Sequence, residues 1–299
     1  MRSRLIVLGL CLAMVCGFQT ASVRACPYCK ADAASLATCE APPADDAASF
    51  PVMFSGGVDF ASSYYFRGYL QADHGPIMQP YLNVFTSKTI NEDLIIRPYV
   101  SLFNSTHFAP NNRMADMSDV MIGTVTSWNG FMIDSRYAYY NMSPLMRTPL
   151  HEIGAKVSYD VLNFWEGNDA LKPFSLKPFV AAYGEFIPEQ GQSQLFANVG
   201  FEPTWRFELA KTKVGLGLPI DWGLGGNGYY FNSNGSNAAL GYFSTALTAS
   251  VAIPVPEQYG KWFLNTSIQY LHLVADSVQV AGEGRNDVAI AKIGLSFIF

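Results

Sequence analysis

From Val52 onward apolar and polar residues alternate at every second position, and each run of alternation is broken by clusters of Gly, Pro, Asn, Asp and Ser. A period of two is the signature of a strand buried on one face. Twelve runs are read, over 52–67, 77–87, 93–105, 119–128, 131–142, 151–162, 173–186, 194–209, 213–224, 240–253, 261–275 and 287–299. The eighth is the clearest: Ala197, Val199, Phe201, Pro203, Trp205, Phe207 and Leu209 alternate with Asn198, Gly200, Glu202, Thr204, Arg206 and Glu208. The pattern predicts an all-β fold, a closed antiparallel transmembrane barrel of about twelve strands with both termini periplasmic. An even strand count lets first and last strands meet, which removes the unpaired edges that neither lipid nor a water-exposed sheet tolerates.

Connection lengths support the same topology. The odd-numbered connections average about 10 residues and the even-numbered ones about 5, the asymmetry expected of long external loops and short periplasmic turns, although 163–172 is a long even-numbered exception. The shortest, Asn129-Gly130, is a two-residue hairpin signal because both residues tolerate positive φ. Gly225-Gly226-Asn227-Gly228 has the glycines of a phosphate loop but not its Lys-Ser/Thr or its following helix, so it reads as an external loop. Trp128, Trp165, Trp205, Trp222 and Trp262 all fall near strand ends, where a lipid-facing barrel carries its aromatic girdles.

Composition sharpens this picture. The chain has 299 residues, 49% hydrophobic but only 14% charged, and a formal net charge of -5. A soluble domain carries about 25% charged residues, and a nucleic-acid binder would need a basic surface. The only long apolar run, Leu5 to Phe18, is too short to span a bilayer as a helix. With Arg2 and Arg4 before it and Val23-Arg24-Ala25 after it, residues 1–25 read as a secretory signal peptide cleaved after Ala25. Residues 26–51 then form a periplasmic tether containing Cys26, Cys29 and Cys39, disulfide candidates in an oxidising compartment. Cys26 would head the mature chain and is a candidate for lipidation, with Arg24 against it; no fourth ligand makes a zinc site and no His follows Cys29 for haem. Residues 52–299 are assigned to the outer-membrane barrel. Leu295, Phe297 and the terminal Phe299 have the alternation of a signal read by the barrel-assembly machinery.

If the oily face is outward, the lumen receives Asp59, Arg67, Arg97, Asp134, Arg136, Lys156, Asp160, Lys177, Glu185, Glu202, Arg206, Glu208, Asp221 and Lys292. Arg67, Arg97, Arg136, Arg206, Glu202 and Lys292 are the candidate pore-lining set, with the four arginines placed on four different strands. The mixed signs argue against strong ion selectivity. Twelve strands enclose either a narrow channel or a nearly filled interior, and composition does not choose between them. The reading adopted is a porin-like channel in a Gram-negative outer membrane, with lipid and small solutes or ions as partners and no cofactor or metal. Two rivals are a structural or adhesive barrel acting through its external loops and a lipid-modifying enzyme. An enzyme needs a His activating a nucleophile. His74, His107 and His151 lie in or beside loops, and His272, on a strand, has no Ser two residues away.

One segment carries a more specific likeness. Ser62-Ser63-Tyr64-Tyr65-Phe66-Arg67-Gly68-Tyr69-Leu70-Gln71, followed by Gly75-Pro76-Ile77-Met78-Gln79-Pro80, resembles the N-terminal hairpin of the TorF-like family of outer-membrane porins. It departs from the family at Leu70, where a small hydroxyl residue is usual, and in its Cys-bearing N-terminal segment. The resemblance implies porin-like transport and no catalytic residues. Independently of it, Phe66-Arg67-Gly68 would set an aromatic at the interface, an Arg inside the mouth and a Gly at a bend.

Overall fold

The computed structural model describes residues 52–108, 116–143, 149–161, 174–188 and 191–299. The signal-peptide, cysteine and tether assignments over 1–51, and Trp165, lie outside the described residues. Twelve antiparallel strands close on themselves: β1 Val52–Ala61, β2 Ile77–Thr86, β3 Leu94–His107, β4 Asp116–Trp128, β5 Phe131–Ser143, β6 Leu150–Tyr159, β7 Phe174–Ile187, β8 Gln192–Leu209, β9 in two pieces at Thr212–Gly217 and Ile220–Gly225, β10 Leu240–Ile253, β11 Lys261–Leu273 and β12 Asp287–Ile298. Each pairs with its chain neighbours, and β1 pairs with β12 from Ser55 opposite Ile298 to Ala61 opposite Lys292. Reciprocal backbone bonds between Phe54 and Phe299, 2.8 and 3.1 Å, finish that seam. The ladder of β9 breaks at Leu218-Pro219, where Pro219 has no N–H to give and its carbonyl accepts from Ala246 N–H at 3.1 Å.

The polarity is inverted relative to a water-soluble barrel. Ile122, Ile133, Ile153, Val180, Leu195, Leu247, Ile268 and Ile293 point outward and are 41–66% exposed, whereas their odd-even partners turn inward. Along β6, for example, Glu152 is fully buried and Ile153 is 63% exposed. An apolar belt of this kind is stable only against lipid, and in water it would be an exposed patch far larger than a soluble monomer carries. The end holding Val52 and Ile298, here the proximal end, has a ring of outward aromatics: Trp128, Phe131, Trp205 and Phe207 are 43–56% exposed, and Trp262 packs on Phe297 with ring centroids 5.3 Å apart. Two of its turns, Asn129-Gly130 and Ala210-Lys211, have both residues at positive φ, as two-residue hairpins require.

One boundary differs from the sequence expectation in a way that matters. The first strand ends at Ala61, not at 67. Ser62 still bonds both backbone groups of Ala291 on β12, at 3.0 Å each, and the chain then leaves the wall. Tyr64–Phe66 and Tyr69–Ala72 form a small hairpin of their own, not part of the barrel sheet. The aromatic run Tyr64-Tyr65-Phe66 has strand-forming composition and the hairpin is itself a strand pair, so strand propensity alone does not show that it has left the sheet.

Candidate functional site at the distal mouth

The hairpin folds into the lumen. Arg67 and Gly68 sit at its tip with φ of 53° and 83°, the two positive dihedrals of a type I′ hairpin turn. Its side chains touch the inward faces of successive strands: Tyr64 lies tilted against Phe103 of β3, 6.1 Å between ring centroids, and donates to Met117 Sδ of β4 at 3.1 Å, and the Phe66 ring centroid lies 5.2 Å from that of Tyr140 of β5. On the far side Gly68 lies so close to Tyr242 of β10 that an added Cβ would approach its ring to 3.2 Å.

Arg67 is the centre of the arrangement. Its Nη2 meets Glu152 of β6 and its Nη1 meets Glu185 of β7, with the Arg67 side chain only 7% exposed. The guanidinium lies 4.1 Å from the Phe196 ring centroid and 5.3 Å from that of Tyr183. Glu152 also accepts from Arg136 Nη2 at 3.3 Å and Tyr140 Oη at 3.1 Å, and Glu185 accepts from Tyr229 Oη at 2.9 Å. Buried charges are stable only when paired and hydrogen-bonded, and here Glu152 accepts from three groups while Glu185 accepts from Tyr229 beside its ion pair with Arg67. Gly154 makes the site geometrically feasible: a Cβ there would collide with the Tyr183 ring, so the glycine lets that aromatic lie flat against the wall.

Two further loops complete the plug. Within 226–239 a short hairpin, Tyr230–Phe231 with Asn237–Ala238, places Tyr230 against Tyr69 with rings 5.9 Å apart and nearly parallel. Tyr230 Oη donates to Arg67 O at 3.0 Å and Tyr69 Oη to Tyr229 O at 2.8 Å. Burial raises the hydroxyls of Tyr69, Tyr229 and Tyr230 above the ordinary tyrosine range, so they remain protonated donors. The loop 274–286 contributes a one-turn helix, Asp276–Ala281, whose Val278 is fully buried against Gly68, and its Arg285 pairs with Asp73 at the base of the hairpin.

Below the plug the lumen keeps charged side chains. A cavity of about 300 Å3 lies between the hairpin and the proximal end, lined by Asp59, Lys177, Glu202, Arg206, Asn265 and Lys292 among others. A smaller one of about 110 Å3 separates the hairpin from the β9 to β12 wall and is bordered by Arg67, Asp221, Ser244, Gln269 and Lys292. Lys156 spans the lumen wall to Glu202 at 2.6 Å, and Tyr99 donates to Asp134 at 2.8 Å. No group of His, Cys, Asp and Glu among the described residues is arranged to hold a metal ion.

The six candidate lining residues therefore separate into three groups. Arg206, Glu202 and Lys292 face the larger cavity. Arg136 belongs to the charge cluster at the mouth, and Arg97, on the inward face of β3, is 3% exposed and packed into the wall. Arg67 is not on a wall strand at all, because its segment has left the sheet. Sequence reasoning also missed Glu152 and Asp119. Both have inward parity, Glu152 with Lys156 and Asp119 with Met121, but both fall at the predicted first turn of a strand, where a carboxylate reads as a solvated loop residue.

His272 is held by Asp287 at 2.8 Å on the outward face, and the same carboxylate accepts from Tyr270. His151 packs flat against Phe186 on that face, 5.2 Å between ring centroids.

No protein-family profile matches the chain, and no curated protein matches it in sequence. Among solved structures, an outer membrane channel from Pseudomonas putida F1 aligns over 87% of this chain and all of that one at 10% identity and a TM-score of 0.49. The beta domain of the Bordetella autotransporter BrkA covers 82% of this chain and 98% of its own at 9% identity and a TM-score of 0.43. The NanC porin gives 82% and 98% at 11% identity and a TM-score of 0.39. At this distance the alignments add nothing to the strand count, closure and inverted polarity already seen here.

Proposed function

We propose that this chain is an outer-membrane channel for the passive diffusion of small solutes or ions, closed at its distal mouth by its own first hairpin. The observation that carries the reading is a cavity of about 300 Å3, with Asp59, Lys177, Glu202, Arg206 and Lys292 on its lining, inside a barrel whose outer face is apolar. A wall built only for stability would fill with interdigitating side chains, as narrow barrels do. Arg206, Glu202 and Lys292 line the conduit, and Arg67 and Arg136 belong to its gate. Both termini of the mature chain are placed in the periplasm, which makes the plugged mouth external and the cysteine-bearing tether periplasmic, with residues 1–25 a signal peptide removed on export. Membership of the TorF-like family belongs to the same proposal. It rests on Phe66-Arg67-Gly68 and on Gln79, which is buried and bonded to Ser105 at 3.4 Å where the family-like stretch returns to the wall.

Planar-bilayer recording of the refolded barrel tests the reading. Discrete ohmic steps are expected, small for the intact chain and several-fold larger when residues 63–72 are replaced by a short Gly-Ser turn. A barrel whose electrophoretic mobility still shifts on heating, but which carries no current in either form, overturns it.

A further inference from the structure

The cradle around Arg67 is made by the wall and not by the hairpin. Glu152, Glu185, Tyr183 and Phe196 come from β6, β7 and β8, and the hairpin supplies only the guanidinium and Phe66. Without the hairpin the mouth would present Glu152 and Glu185 against the single guanidinium of Arg136, with Asp119 beside them. Asp119 is already short of partners: its Oδ1 is buried with no hydrogen bond, beside Met117, to which Tyr64 donates. Two carboxylates held together in this way are stabilised by a cation between them.

The geometry favours one class of cation. Two carboxylates on different strands are faced by two different nitrogens, Nη2 by Glu152 and Nη1 by Glu185, while the guanidinium carbon lies 4.1 Å from the Phe196 ring centroid. A planar fork satisfies all three contacts at once, whereas an ammonium offers a point charge without a stacking face. The adjoining cavity of about 110 Å3, walled by Asp221, Ser244 and Gln269, leaves room for the remainder of a small polar molecule.

We infer that these wall residues form a binding site for small solutes bearing a guanidinium group, and that Arg67 is a tethered occupant which such a solute displaces. The inference deepens the channel reading by naming a solute class at the same mouth.

Chemical rescue tests it. In the full chain, refolded into detergent, Arg67→Ala is expected to lower the midpoint of the heat-induced mobility shift. Millimolar methylguanidinium should restore at least half of the loss in a saturable way, methylammonium clearly less, and urea none. In the Arg67→Ala, Glu185→Gln double variant the rescue should vanish. A folded Arg67→Ala barrel that methylguanidinium does not rescue, or that urea or the double variant rescues equally, overturns the inference. If Arg67→Ala does not fold, the intact chain supplies the readout: methylguanidinium should increase chymotrypsin cleavage within 62–76 several-fold over sodium chloride at equal concentration, and no increase overturns the inference. Neither readout needs current, so binding without conductance refutes only the channel reading, and conductance without binding refutes only this one.

Discussion

At the residue scale the mouth concentrates its stability in few groups. Glu152 accepts from Arg67, Arg136 and Tyr140 while fully buried, so Glu152→Ala takes a carboxylate from Arg136 and leaves Arg67 with Glu185 alone. Breaking a buried pair from one side costs about 3–5 kcal/mol, against about 1 kcal/mol for a partly exposed one. Glu202→Ala, whose pair with Lys156 is about a quarter exposed on both sides, is the matched control. Urea unfolding of both variants in lipid vesicles should show the Glu152 variant losing several times more stability. Gly68 is equally constrained, with φ of 83° and Val278 within 3.2 Å of an added Cβ. Gly68→Ala should cost about 1–2 kcal/mol at that turn and loosen the plug, read as an increase in single-channel conductance.

At the element scale every strand is two surfaces with opposite requirements. Ile268 and Asn265 are three positions apart on β11, yet Ile268 is 66% exposed on the outer face and Asn265 lines the cavity near Asp59. Ile268→Arg is expected to cost about 2–4 kcal/mol, the penalty for a guanidinium near the bilayer midplane, whereas Asn265→Arg should fold with nearly unchanged stability. Equal losses in urea titrations would contradict the assigned sidedness. The turns are as specific as the strands. Asn129 and Gly130 both have positive φ, so Gly130→Val places a β-branched residue where it pays about 1–2 kcal/mol.

At the scale of the whole molecule, closure and occlusion come from different parts of the chain. The barrel closes through β1 and β12, the two ends of the described sequence, so its seam is the longest-range contact in the fold. Occlusion comes from three connections, 62–76, 226–239 and 274–286, that meet in one buried cluster including Tyr229, Tyr230, Tyr242, Leu273 and Val278. The plug is therefore a small core in its own right, and hairpin removal should raise conductance without abolishing the heat-induced mobility shift of the barrel. Loss of both together would mean that the hairpin is part of the folding core and not a separable gate.

The strands were legible because their code is local. Period-two alternation assigns each residue a face without reference to any other strand, and eleven of the twelve runs match the observed strands to within a few residues. Inverted polarity, closure by an even number of strands and the Asn129-Gly130 turn follow from the same local chemistry. What alternation does not encode is where a strand stops belonging to the sheet. Tyr64-Tyr65-Phe66 still reads as strand by composition, and only the packing of Tyr64, Phe66 and Arg67 against five other strands turns the segment inward. Arg67 and Glu152 stand 85 positions apart. A pairing that distant is decided by the circumference of the barrel and the reach of its loops, quantities that exist only once the chain has closed.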